Sequence, residues 1–380
     1  MIPLSEPVLQ GRELEYVSDC LRSGWVSSNG EYIARFEEAI ANYVGVKHAV
    51  ACNCGTSALH VSLLLAGVGA GDEVIVPAVT FIAPVNAVRY VGAFPVFVDC
   101  DEYCGIDVDG IRRFLAEECT VVDGVTVNGA SGRRVAAIIP VHVFGTAADM
   151  DPILGLALEN GLSVVEDASE ALGSRYKGTM CGALAPMACL SFNGNKIVTS
   201  GGGGAILTDD DALAEGARSL TTQAKEAGIE YLHHRIGYNY RMNNVLAALG
   251  LAQMETIDER LATKRRNFAL YEQALGAAGA TLLLGQPAWS EANRWFYAYT
   301  CADAAAKDEL LKACIAAGIQ ARPLWYPNNL QRPYVDMQAY RVERAPWFYD
   351  RLVNLPCSVT LTQDEIAQVA AVIEATHSRS

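Results

Sequence analysis

Seven short apolar runs, alternating with helical stretches, constrain this chain more than any other feature. They cover residues 48–52, 73–76, 94–98, 135–141, 163–166, 188–192 and 204–207, each rich in Val, Ile or Ala and bounded by Gly, Pro, Asp or Asn. Helical spacing fills the intervals at 57–65, 80–91 and 152–160. Such alternation predicts an α/β fold: a mostly parallel sheet with helices on both faces. Ligands of these sheets collect where strand carboxyl ends meet helix N-termini. Beyond residue 241 the pattern changes. Residues 243–275 read as one long helical stretch, followed by a strand at 295–301, a helix at 305–317 and a closing helix at 363–376. The expected organisation is a large domain over 1–254 and a small α+β domain over 255–380.

Composition narrows the classes of partner. Hydrophobic residues make up 51% of the 380 and charged residues 19%, enough apolar content to bury a large core. The net charge of −14 argues against a nucleic-acid surface, which needs a basic face. An anionic small molecule is compatible only if local cations offset the global field. The longest low-charge stretch, 135–148, is too short to span a bilayer, and the first residues lack the order of an export signal. The eleven cysteines include no Cys-x-x-Cys pair. Cys52 and Cys54 are expected to pack the core in a reducing, cytoplasmic setting, with no metal site.

Three segments at predicted strand ends carry chemistry. In Asn53-Cys54-Gly55-Thr56-Ser57 a glycine permits a tight turn before a helix whose free N–H groups suit an anion; an ordinary helix cap is the plainer reading. Val164-Val165-Glu166-Asp167 ends a buried strand on two carboxylates, either a helix cap or a partner for a cationic ring nitrogen, with Glu170 three residues on. Leu190-Ser191-Phe192-Asn193-Gly194-Asn195-Lys196 ends a strand on a hydroxyl and presents one lysine from a polar turn. A surface lysine is the ordinary case, whereas a desolvated one at the crevice suits Schiff-base chemistry. The run Gly201–Gly204 is either a flexible loop or a place of close backbone approach. A phosphate anchor, a ring-nitrogen partner and an imine-forming amine are the separate tasks of a pyridoxal 5′-phosphate site, with Phe81 available as a stacking face. The absence of G-x-G-x-x-G and of a P-loop removes the main signal for dinucleotide or nucleoside-triphosphate folds.

Over nearly its full length the chain resembles the DegT/DnrJ/EryC1/StrS aminotransferases, whose fold is the aspartate-aminotransferase type (fold type I). The blocks that carry the likeness are Gly24-Trp25-Val26-Ser27-Ser28-Asn29-Gly30, Gly55-Thr56-Ser57-Ala58-Leu59-His60, Thr80-Phe81-Ile82-Ala83 and Glu166-Asp167-Ala168-Ser169-Glu170. Ser191–Lys196, Gly237-Tyr238-Asn239-Tyr240-Arg241 and Arg322-Pro323-Leu324-Trp325 complete them. The resemblance implies Lys196 as Schiff-base lysine and general acid/base, and Asp167 as partner of the pyridine nitrogen. It implies Thr56, Ser57 and Ser191 around the phosphate, with Gly55, Phe81, Glu170 and Asn193 nearby. Asn239 would reach across a homodimer interface into the partner's site. Trp25, Val26, Ser27, His233, Arg322 and Trp325 match positions near a sugar nucleotide. For His233 a core or surface place, for Arg322 a surface ion pair, and for Trp325 small-domain packing are the plainer readings.

Within that family the implied reaction moves an amino group from L-glutamate to C4 of a nucleotide-linked 4-keto-6-deoxy sugar, the cofactor cycling through pyridoxamine 5′-phosphate. The finer likeness is to enzymes acting on UDP-2-acetamido-2,6-dideoxy-4-hexulose, as in bacillosamine and legionaminic acid routes. Perosamine synthases, which use GDP-4-keto-6-deoxymannose, are the alternative. A non-catalytic cofactor-binding regulator is a weaker one, since it leaves Lys196 without a reason. Sugar dehydratases of this fold carry histidine at the lysine position. Ser169 stands where many relatives have alanine.

Overall fold

The computed structural model describes residues 1–226, 228–277 and 283–377. Eight strands form the central sheet in the spatial order His48–Cys52, Gly204–Thr208, Met187–Ser191, Ser163–Asp167, Val135–Ile138, Glu73–Pro77, Phe94–Val98 and Ala339–Tyr340. Gly204–Thr208 runs antiparallel to both its neighbours, and the remaining seven strands are mutually parallel. All seven predicted apolar runs contain strands of this sheet, the one at 135–141 ending as a strand at Ile138. Their mostly apolar content matches burial on both faces: Glu73–Pro77 and Gly204–Thr208 are buried at every position.

Helices cover the sheet as the alternation requires. Gly55–Leu65 is buried along most of its length, and Ala83–Tyr90 starts with Pro84 in its first turn, where the missing N–H costs nothing. The helices Glu13–Ser23 and Glu31–Val44 pack on Asn244–Met254. Residues 297–355 build a second, antiparallel sheet with Tyr297–Thr300 and Arg322–Pro323 flanking Leu352–Leu355. The helices Ile257–Ala277, Ala304–Ala316 and Gln363–His377 accompany it. Ala339–Tyr340 returns to the large sheet beside Phe94–Val98.

Two local expectations are corrected. The single helix predicted over 243–275 is two helices, Asn244–Met254 and Ile257–Ala277. No glycine or proline marks the break. The Tyr16 hydroxyl donates to Glu255 Oε1 at 2.5 Å, and Thr256 turns its N–H onto the Gln253 carbonyl. The strand predicted from residue 295 begins at Tyr297, which frees Trp295 and Phe296 for another surface.

Candidate active site

The carboxyl ends of Ser163–Asp167 and Met187–Ser191 open onto one crevice, beside the N-terminus of helix Gly55–Leu65. Gly204 pairs with both Cys52 and Ser191, so the antiparallel strand ties the helix entry to the Ser191 strand end. Glycine is required at that junction. A Cβ on Gly204 would lie 2.6 Å from the backbone of Cys54 and Gly55, and one on Gly55 would lie 2.9 Å from Ser191 Cβ. The expected close backbone approach is therefore real at Gly204. Cys54, expected in the core, instead caps the helix: its Sγ accepts the Ser57 N–H.

A cavity of about 350 Å³ occupies the crevice. Gly55 and Thr56 line it from the helix end, Ser191, Asn193 and Lys196 from the lysine turn, and Asp167 and Glu170 from the neighbouring strand end. Phe81 and Trp325 line its mouth, their ring centroids 6.5 Å apart in an edge-to-face contact. These nine predicted residues come together. Ser57 is buried one step away, its hydroxyl 3.2 Å from Cys54 Sγ. Trp25, Val26, Ser27, His233, Asn239 and Arg322 lie on the exposed surface of the chain, outside the cavity. The Trp25 carbonyl accepts from Asn244 Nδ2 and the Ser27 carbonyl from the Asn244 N–H, while the His233 ring meets the Gln223 carbonyl at 2.9 Å.

Strand alternation separates the two adjacent acids. Asp167 faces the cavity, 3% exposed, and its Oδ1 accepts the Ser169 N–H at 3.0 Å. Glu166 points to the other side, where it accepts from His142 Nε2 at 2.9 Å and from the N–H groups of Gly182, Leu184 and Ala185. The buried His142–Glu166–Cys181 group has metal-ligand chemistry, yet His142 Nδ1 already takes the Ala148 N–H. With those atoms engaged, the group serves as a hydrogen-bonded brace beneath the Asp167 strand end.

Lys196 is desolvated, as Schiff-base chemistry needs. Its Nζ lies 3.7 Å from Glu170 Oε1 and 3.8 Å from the centroid of the Trp295 ring. Burial pulls the ammonium below its ordinary range, opposed by the carboxylates of Glu170 and Asp167. Burial also raises Asp167, against the Ser169 hydrogen bonds and Lys196, and pushes Glu170 up to about 7 against Lys196 and the Phe144 N–H. That N–H donates to Glu170 Oε2 at 2.9 Å.

The raised Glu170 has a consequence for stability. Its folded value lies above the ordinary 4.5, so its contribution is complete below that pH and is lost as pH rises through about 7. Against Glu170→Gln, cofactor-free wild type is expected to lose roughly 2–4 °C in Tm between about pH 5 and about pH 8. Thermal melts of the two chains across that range check the sign.

Sequence reasoning missed Trp295 and Phe296, which close the cavity from the C-terminal part of the chain with rings stacked 4.0 Å apart. It also missed Asn195, whose carbonyl accepts from Trp295 Nε1 at 2.7 Å. The Trp-Phe pair was the available signal, read instead as the start of the strand at 295–301.

The residues fit pyridoxal phosphate. The glycine-walled helix N-terminus with Thr56 and Ser191 offers donors to a phosphate, Asp167 offers a buried carboxylate to a ring nitrogen, and Lys196 offers a desolvated amine to an aldehyde. The family model of the DegT/DnrJ/EryC1/StrS aminotransferases matches residues 7–374. A GDP-perosamine synthase of Caulobacter vibrioides is 40% identical over 376 residues, covering 98% of this chain and 97% of that protein. A GDP-perosamine synthase of Escherichia coli O157:H7 is 34% identical over 381 residues, covering 99% of each. A solved DegT DnrJ EryC1 StrS aminotransferase from Brucella abortus superposes with a TM-score of 0.88 at 29% identity, over 96% of this chain and 95% of that one.

Proposed function

The chain belongs to the DegT/DnrJ/EryC1/StrS aminotransferase family and is a pyridoxal-phosphate-dependent sugar aminotransferase; from that premise we propose that it aminates C4 of GDP-4-keto-6-deoxymannose with L-glutamate as donor. The observation that carries the carrier assignment is the end-to-end similarity, at 40% identity, to a GDP-perosamine synthase. The expectation of a UDP-linked acetamido sugar gives way to its alternative on that ground.

When bound, the cofactor accepts the amino group from the donor and passes it to the sugar, its ring serving as electron sink. The chain's own residues hold and time this exchange. Thr56, Ser191 and the helix N-terminus anchor the phosphate, Ser57 supporting that turn from behind, and Phe81 covers one ring face. Asp167 stays anionic against the ring nitrogen, its negative charge favouring a protonated ring. Lys196 takes a proton at Nζ and returns it on the same face of the cavity, which sets the stereochemistry at C4. Glu170 holds the ammonium form of Lys196 between proton transfers. The aromatic wall of Trp295, Phe296 and Trp325 keeps water from the reacting centre.

The same reading divides the chain near residue 255 into a cofactor-binding domain, 1–254, and a smaller domain, 255–380, that closes over the cavity. It makes the working unit a homodimer in which the exposed Asn239 completes the partner's site. Trp25, Val26, Ser27, His233 and Arg322 receive the nucleotide at the seam.

Carrier choice tests the proposal. With glutamate in excess, kcat/KM for GDP-4-keto-6-deoxymannose should exceed that for the UDP-linked 4-keto-6-deoxy acetamido sugar by about 10²-fold or more. A preference for the UDP substrate overturns the carrier assignment and leaves the chemistry at Lys196 standing.

A further inference from the structure

Trp295 stands about a hundred residues from the lysine in sequence, yet makes two contacts with the lysine turn. Its ring lies under Lys196 Nζ at 3.8 Å, and its Nε1–H donates to the carbonyl of Asn195 at 2.7 Å. The ring is held with little freedom, being 2% exposed and stacked on Phe296. Its backbone N–H donates to Asn293 Oδ1 at 2.9 Å, and its carbonyl accepts from the buried Lys264 Nζ at 2.7 Å. Asn293 in turn donates through Nδ2 to the carbonyls of Glu170 and Leu172, at 2.8 and 3.0 Å. One short segment thus links the turn that carries Lys196 to the loop that carries Glu170.

We propose that Trp295 is a positioning residue for Lys196: its indole face holds the ε-ammonium, opposite Glu170, whenever the lysine is not attached to the cofactor, while its N–H fixes the turn that aims it. This rests on Lys196 being the reactive lysine of the proposed function. The physical need is specific. Burial drives Lys196 toward the neutral amine, and a carboxylate at 3.7 Å, itself raised by burial, offers only part of the compensation. A ring face stabilises a desolvated ammonium without adding a titrating group. Among the described residues, the other charged groups around Lys196 are Asp167, which acts on it across the cavity, and Glu6, Arg260 and Lys264, which border a small void that Lys196 also lines. None of them is placed against Nζ as the Trp295 ring is.

The test reads the lysine itself. Full-length chain loaded with pyridoxamine 5′-phosphate, and the same chain cofactor-free, are acetylated across a pH series, and the Lys196 peptide is quantified by mass. Trp295→Leu removes both contacts and is expected to lower the half-labelling pH of Lys196 by about one unit. Trp295→Phe keeps a weaker face and loses the N–H, so a drop of about half a unit is expected, with kcat reduced about tenfold. Because Phe preserves the stack on Phe296, it reports even if the Leu chain does not fold. A half-labelling pH that stays within about 0.2 unit of wild type, or rises, in either folded variant overturns the proposal. Borohydride reduction of the same chain loaded instead with pyridoxal 5′-phosphate, which fixes the cofactor on the amine it has joined, separates the two levels. Cofactor fixed on a peptide other than that of Lys196 removes the underlying reading, whatever the tryptophan series shows.

Discussion

A Lys196→Arg chain is expected to fold, to bind the cofactor, and to lose about 10³-fold or more in kcat for amino transfer. Arginine keeps a positive charge opposite Glu170 and the Trp295 ring, so the electrostatic frame survives. It cannot give up a proton near neutral pH, because its guanidinium holds its charge beyond pH 12. Both tasks assigned to Nζ, joining the aldehyde and shuttling the proton, are then closed, and general acid–base work alone is worth about 10²–10⁴ in rate. Single-turnover mixing of the pyridoxamine-loaded variant with sugar substrate isolates the second half of the reaction. Turnover at the wild-type rate would remove Lys196 from the chemistry.

Asp167→Asn carries the second largest effect. The carboxylate sits at the cavity wall, almost wholly shielded from water, with the Ser169 N–H on Oδ1. Burial raises it, while Ser169 and Lys196 act to keep it charged. A ring nitrogen protonated against it strengthens that trend. Asparagine preserves shape and hydrogen bonding but not charge, so the loss falls on charge developed in the transition state, and kcat should drop by about 10²–10³-fold. The sugar KM should change by less than about threefold, since no sugar contact is assigned to this residue. An unchanged kcat would mean that the ring does not depend on Asp167.

Much of the architecture was legible because both-face burial writes itself as short runs rich in Val, Ile and Ala. The runs at 73–76 and 163–166 needed no context to be read as interior strands. The core of the site was legible for a related reason: Asp167 and Ser191 close their strands, and strand carboxyl ends border the crevice. What stayed hidden arrives through tertiary contact. The break after Met254 coincides with a hydrogen bond from a tyrosine hydroxyl some 240 residues away, with no local breaker to announce it. Trp295 and Phe296 read as the start of a strand because an apolar pattern records burial but not what is buried against them. The facing of Glu166 and Asp167 follows from strand alternation, but which acid meets the cavity depends on register. Of the residues assigned to the sugar nucleotide, Trp325 lines the cavity, while Trp25, Val26, Ser27, His233 and Arg322 lie outside the cavity of a single chain.

The central claim is that this chain moves the nitrogen of glutamate to C4 of a GDP-linked sugar through Lys196. The most direct measurement incubates the loaded full-length enzyme with ¹⁵N-glutamate and GDP-4-keto-6-deoxymannose and follows the sugar nucleotide by NMR. The predicted result is a ¹⁵N-bearing carbon at C4, with one 2-oxoglutarate formed per amino sugar and neither product from Lys196→Ala. A sugar nucleotide that remains unlabelled while glutamate is consumed, or label incorporated at full rate by Lys196→Ala, would contradict it.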